Sequence, residues 1–354
     1  MTQKKYFTYL IITISLFLFY HLFIWTFFTS KIFALDSKHS IGDLARMSYQ
    51  TDMLYKRELK YKLKRSFIYK EIYKKDESVD IITIGDSFSH GAAGGVNPYY
   101  QDYLATLYNL KVLNINPDDP YDYFATVMGL YKSGFLEKSK VHYIILQSVE
   151  RFFPKRFSRD FTPQHYNPLK AVISKKTFSI RHLDVPIIST ANYKYPYYTL
   201  MYHFKENAKK DIYKFTLTQN LFSRNSKNKI LIFHDDIRNI PQFTQESVQK
   251  LNENFNKLSK ILQKLNIKLI VLPAPDKYDI YAKYIKNNKH PLNPFFSYIR
   301  PLKKEYIFID TKKILCRELN KGTLDLYYPD DTHWNYKASQ AISNAAIFKE
   351  LFGK

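Results

Sequence analysis

From Tyr6 to Ser30 the chain contains no Asp, Glu, Lys or Arg and is dense in Phe, Leu and Ile. About 20 such residues in a helix cross a bilayer core, so residues 1–30 are expected to form a short tip and a transmembrane anchor rather than part of an aqueous domain. Lys4 and Lys5 precede the run. The positive-inside rule then leaves the N-terminus in the cytoplasm and everything after Lys31 outside, although Lys31 and later bases weaken the asymmetry. A cleavable signal peptide is the rival reading. Its apolar region is usually shorter and ends at a small-residue site, whereas this run ends in Phe27, Phe28, Thr29 and Ser30, with Ala34 as the only small-residue candidate nearby. His21, within the span, reads as a tolerated interfacial or core residue.

Residues 31–76 form a basic, Tyr-rich stretch that suggests a helical stalk near the membrane surface, or a solvated helix. From Val79 short apolar runs alternate with helical periodicity, which argues for an α/β domain over residues 77–354 with a parallel central sheet. Strands are expected at Val79–Ile84, Lys111–Ile115, Val141–Leu146, Lys229–Phe233, Lys268–Leu272 and Tyr306–Ile309. Val248, Leu251, Phe255, Leu258, Ile261, Leu262 and Leu265 predict a helix over Glu246–Leu265 with Thr244 as its N-cap. A last helix is expected over about Tyr336–Leu351. Residues 152–228 fit no clean alternation and read as an insertion or lid.

Lys and Arg total 54 against 32 Asp and Glu, a formal +22 that suits an acidic glycan, an anionic lipid surface or a nucleic acid. A Lys-rich, Gly-poor composition equally reflects genome base bias. The outward topology disfavours nucleic acid. Cys316 is the single cysteine, so an internal disulfide and a multi-cysteine zinc site are excluded.

Gly85-Asp86-Ser87 stands at the end of the first expected core strand, where open α/β sheets place their sites. A serine at such a turn exposes its hydroxyl and can turn its own N–H toward a developing oxyanion. Near the C-terminus lies Tyr328-Pro-Asp-Asp-Thr-His-Trp-Asn335. A serine nucleophile needs a base, and the base needs an acceptor that fixes its tautomer and stabilises its cation. His333 supplies the base, and Asp330 or Asp331 the acceptor. Alone, that run is also a good surface turn or a pair of metal ligands. With Ser87 it reads as a catalytic triad, with no metal and no cofactor.

These two blocks resemble the SGNH/GDSL superfamily, whose nucleophile follows strand one and whose Asp/His block lies near the C-terminus. Asp331-Thr-His333-Trp334 and Leu272-Pro-Ala-Pro-Asp-Lys-Tyr-Asp-Ile-Tyr281 are similar to the alginate-type polysaccharide O-acetyltransferases. The resemblance implies a three-layer SGNH-like sandwich and favours Asp331, two residues before the histidine, as the acid. It implies an acyl-serine enzyme, an O-acyltransferase acting on a cell-envelope polysaccharide and fed by a membrane-bound O-acyltransferase. Its place would be a bacterial inner membrane, with the domain on the periplasmic or extracellular side. An envelope esterase and a non-catalytic polysaccharide-binding or assembly subunit are the alternatives.

The chain departs from the superfamily at the oxyanion hole. In place of a glycine after strand two and Gly-x-Asn after strand three stand Asn114-Ile-Asn-Pro117 and Gln147-Ser-Val-Glu-Arg151. Asn116 and Gln147 are the substitute donors, unless they satisfy strand-end backbone groups instead. The order, serine first and histidine last, is that of ordinary SGNH enzymes and of the anchored proteins that assist D-alanylation of teichoic acids. The alginate enzymes place Asp-x-His before the serine. Asp276, Lys277 and Trp334 are candidate substrate-binding residues, with a turn ion pair and core packing as the plain readings.

Overall fold

The structure, a computed structural model, describes residues 3–33, 41–58, 63–69, 73, 77–168, 185–224 and 226–353. Parts of the expected stalk, the Ala34 position and residues 169–184 of the expected insertion lie outside the described residues. A continuous helical segment runs from Gln3 to Phe33, with a widened π-helical turn at Trp25–Thr29, and is long and apolar enough to cross a membrane.

The strands are β1 (Ile68–Tyr69), β2 (Ile81–Ile84), β3 (Val112–Ile115), β4 (Tyr143–Val149), β5 (Ile212–Thr216), β6 (Lys229–Phe233), β7 (Lys268–Ala274) and β8 (Ile307–Phe308). Six of them form one parallel sheet in the order β1-β3-β2-β4-β7-β8. Neighbouring residues face opposite ways. Ile81, Ile145 and Ile270 pack beneath Leu104, Leu315 and Ile342, while Ile82, Ile144 and Leu269 meet Val127, Leu251, Phe255 and Leu258 on the other face. Each strand is therefore apolar on both sides, as a sheet covered by helices requires. The result is a three-layer α/β/α domain.

Helix Gln245–Gln263 realises the predicted periodicity and begins in a capping box: Ser247 N–H donates to Thr244 Oγ1 at 3.1 Å, and Thr244 N–H donates to Ser247 Oγ at 3.1 Å. Thr244→Ala should cost about 1 kcal/mol, read from the urea midpoint of the detergent-solubilised chain. The expected last helix is two, Tyr336–Ser343 and Ala346–Phe352, which break at Asn344 so that Phe348 and Phe352 turn back onto the core.

Two expectations need correction. Lys229–Phe233 is a strand but not part of the parallel sheet; it pairs antiparallel with β5, inside the expected insertion. Its run looked like a core strand because Ile230 and Ile232 pack on the main core while Leu231 packs on Leu44, Ala45 and Met53. Where a long helical stalk was expected, the described residues hold a six-residue helix, Asp43–Ser48, a single 3-10 turn, Thr51–Met53, and the edge strand β1. Residues 41–58 pack on the domain itself, because Leu44, Ala45 and Met53 form an apolar face that the hairpin covers.

Candidate active site

Strand order reverses at β2, with β3 on one side and β4 on the other, so a crevice opens at the carboxyl end of β2. Gly85-Asp86-Ser87 begins there. Position 85 must be glycine, since a Cβ would sit 2.1 Å from Ser89 Oγ and 2.5 Å from Gln147 Oε1.

Asp86 ties this turn to β4. Its carboxylate accepts from Val149 N at 2.7 Å, Phe88 N at 3.2 Å, Gln147 Nε2 at 3.0 Å and Arg156 Nη1 at 2.6 Å. Burial alone would raise its pKa, but Arg156 and these donors hold it below the ordinary carboxylate value.

Ser87, half-buried, meets His333 across the crevice: Oγ and Nε2 are 2.7 Å apart. His333 Nδ1 lies 2.7 Å from Asp331 Oδ1, which also accepts the His333 backbone N–H at 2.9 Å. The Phe88 ring packs at 4.8 Å from the imidazole and at 4.9 Å from Trp334, which limits tilting of the base. Burial lowers the His333 pKa, but the hydrogen bond and charge of Asp331 outweigh it and raise the group above its usual value. Burial pushes Asp331 up; His333 and Arg57 overcome this and hold it far below the carboxylate range.

Of the two candidate acids, Asp331 is the one on the imidazole. Asp330 points the other way: it accepts from Arg57 Nη1 at 2.8 Å and from Tyr55 N at 2.9 Å. Arg57 also reaches Asp331 Oδ2 with Nη2 at 3.3 Å, donates from Nε to Ala93 O at 3.1 Å, and lies 3.7 Å from the centre of the Tyr328 ring. Asp43 closes the same loop, its N–H donating to Asp331 Oδ2 at 3.2 Å and its Oδ1 accepting from Thr332 N at 2.8 Å. Gly42 permits this approach, since a Cβ there would lie 2.0 Å from Asp330 O. Neither Arg57 nor Asp43 was singled out from sequence. Arg57 sits in a run of many bases, and its carboxylate partners lie over 270 positions away.

Asp43, Asp331 and His333 bring ligand-type atoms within 4.8 Å of one another. Those atoms are already engaged by Ser87, backbone N–H groups and each other, and Arg57 supplies the cation beside Asp331. The arrangement suits proton transfer better than metal binding.

The remaining candidates are supports rather than open donors. Gln147 is buried, accepts from Asp86 N at 3.1 Å and Ser89 Oγ at 2.7 Å, and gives its amide to Asp86, so it fixes the turn as a strand-end residue does. Asn116 lies beside His90, whose pKa burial lowers and Asn116 helps to raise. Asp276 is buried in an ion pair with Arg151 at 2.9 Å, and Arg151 also holds Asp236 at 3.1 Å. Burial, then Asp236, pushes Asp276 well above the usual range. Lys277 is buried too, donating to Asp331 O at 2.6 Å and Tyr328 O at 3.1 Å, and burial lowers its pKa to about 8. It pins the carbonyls of the loop that presents His333. Trp334 is buried against Phe88, which leaves no ring face for a sugar.

No curated protein and no solved structure matches the chain. Residues 232–350, which hold β7, β8, Lys277 and the Asp331–His333 loop but not Ser87, match the family model of the SGNH hydrolase-like domain of the acetyltransferase AlgX, the SGNH/alginate-type family that the motifs resemble.

Proposed function

We propose that this chain is a membrane-anchored serine O-acyltransferase, transferring an acetyl group to a hydroxyl of a cell-envelope polysaccharide. The observation that carries the reading is the hydrogen-bonded series Ser87–His333–Asp331 at the carboxyl end of β2. Ser87 Oγ attacks the carbonyl carbon of the acyl donor while its proton passes to His333 Nε2. Asp331 stabilises the imidazolium, as the acid of a serine triad does. The tetrahedral intermediate expels the donor's leaving group, which takes the proton from His333. A sugar hydroxyl then attacks the acyl-serine, gives its proton to His333, and restores Ser87. The Ser87 backbone N–H serves as an oxyanion donor in this scheme.

The anchor would hold the domain on the outer side of the membrane, beside a membrane-bound O-acyltransferase that supplies acyl groups. The +22 charge suits an acidic glycan. The test is mass spectrometry of the solubilised full chain incubated with an activated acetyl ester. An acetyl adduct on Ser87 that moves to added glycan is the expected result. Loss of the adduct to water alone would make the chain an esterase, and no adduct on a folded protein would favour a binding or assembly subunit.

The raised His333 pKa sets the pH dependence. The base must be neutral to act, so the rising limb of kcat/KM should lie above the ordinary imidazole value of about 6.5. Asp331→Asn should bring that limb down and cut kcat about 10⁴-fold. Stability follows the same pair. The contribution from His333 is complete below about pH 6.5 and fades as pH rises through its raised folded value. That from Asp331 is complete above about pH 3.9 and is lost as pH falls. Melting temperature against pH, wild type beside Asp331→Asn, checks both signs.

A further inference from the structure

The segment from Val185 to Lys205 is joined to the apolar helix by a buried polar cluster centred on Asn192. Its amide nitrogen lies 2.8 Å from His21 Nδ1, its Oδ1 accepts from Thr29 Oγ1 at 2.7 Å, and its backbone oxygen accepts from Tyr20 OH at 2.9 Å. Trp25 Nε1 donates to Val185 O at 2.9 Å, and the Phe28 and Tyr195 rings stack at 4.6 Å. Asn192, His21 and Thr29 are all buried. Removing the helix would strand Asn192 without these partners, so the polar cluster argues for a helix that stays with the domain.

The 31-residue helical segment Gln3–Phe33 is about 46 Å long at about 1.5 Å per residue, against a hydrocarbon core of about 30 Å. The excess of about 16 Å is about three turns, and Asn192 is held by Tyr20, His21 and Thr29, in the half of the segment nearer the domain.

Helix Ala191–Met201 has two apolar sides. Ala191 and Asn192 face the anchor, and Tyr198 stacks on Tyr49. Tyr193 also meets the anchor, stacking on Tyr20 at 5.4 Å with its hydroxyl 3.0 Å from His21 Nε2. The other side carries Tyr197, Leu200 and, just beyond the helix, Phe204, at spacings of three and four. These are 56%, 59% and 75% exposed, and Ile187 and Ile188 extend the patch at 45% and 48%. Water is a poor solvent for such a stripe, and a monomer rarely presents a contiguous one without a partner. The patch continues onto the exposed Phe23 and Phe27 of the anchor through the cluster described above. Lys194, Lys205 and Lys210 stand exposed around it. Tyrosines over an apolar body with lysines at the rim make the composition of a bilayer interface.

We propose that residues 187–204 form a second membrane contact, a helix lying in the outer interfacial layer of the bilayer with Tyr197, Leu200 and Phe204 among the acyl chains and the lysines among anionic headgroups. This rests on the reading of Gln3–Phe33 as a retained anchor. Two contacts, one spanning and one lying flat, fix the tilt of the domain. The platform also meets the segment that holds Asp331, through the Tyr49–Tyr198 stack at 5.7 Å and the Thr51 Oγ1 to Tyr195 OH bond at 3.4 Å. The crevice is thereby held at one height above the lipid surface.

The test uses the full chain with Cys316→Ser, reconstituted in phosphatidylcholine–phosphatidylglycerol vesicles, with Leu200→Cys, Phe204→Cys, Leu16→Cys or Lys257→Cys labelled by an environment-sensitive maleimide dye. Leu200 and Phe204 are exposed, so these changes displace no packed side chain. Dyes at 200 and 204 should be quenched several-fold more by lipids spin-labelled near the headgroup than by aqueous iodide, and the dye at 257 the reverse. Iodide quenching that prevails at 200 and 204, with position 16 quenched by lipids labelled deep in the chain, would overturn the interfacial helix alone and leave the anchor standing. A dye at 16 open to iodide would overturn the anchor reading and the proposal with it.

Discussion

Ser87→Ala should lower acyl transfer by about 10⁴-fold to 10⁶-fold, the range seen when a serine triad loses its nucleophile. The Ser87 hydroxyl contacts His333, and the turn around it is held by other groups: Asp86 with its four donors and Gly85 against Gln147. Melting should therefore move by no more than the value of one hydrogen bond, about 1 kcal/mol. Circular dichroism melts beside acetyl-adduct mass spectrometry separate the two effects. An active Ser87→Ala protein would remove the acyl-serine mechanism, and a folded but silent one keeps it.

Arg57→Ala should be the most destabilising single change in the site, by about 3–5 kcal/mol, because it leaves Asp330 and Asp331 buried without their shared cation. Activity should fall with it, since Asp331 would keep its bond to His333 but lose the second cation that, after His333, holds it ionised. Arg57→Lys should recover little. One ammonium cannot bridge two carboxylates and the Ala93 carbonyl at once, whereas the guanidinium fork meets all three. Denaturant midpoints of wild type, Arg57→Ala and Arg57→Lys give the comparison, and a Lys variant as stable as wild type would refute the bridging role.

These two residues mark how much of the molecule is legible in its sequence. Ser87 and His333 were readable because each stands in a local block whose chemistry is self-explanatory: a glycine turn after an apolar strand, and a histidine two residues after an aspartate. The six predicted strands all exist because buried strands leave short apolar runs that helices do not. Periodicity could not tell which sheet a strand joins. Lys229–Phe233 reads like a central strand because both its faces are buried, and only the three-dimensional partner, β5, reveals a hairpin. Arg57 lay beyond reach for a related reason. Its meaning depends on Asp330 and Asp331, and in a chain with 54 basic residues nothing local sets it apart. Gln147 was placed at the correct strand end, but its side chain serves the Asp86 turn.

The clasp that Gly42, Asp43 and Arg57 make on the acid loop bears on how the chain can be cut down for study. A soluble fragment begun near residue 77 would lose only the edge strand β1 from the sheet and keep both halves of the Ser87–His333 pair, and would still lack the cradle of Asp331. A fragment that keeps this cradle begins upstream of Gly42. The stretch from Gly42 to Arg57 is thus a structural part of the acid loop rather than a tether, and an insertion within it would loosen the hold on Asp331.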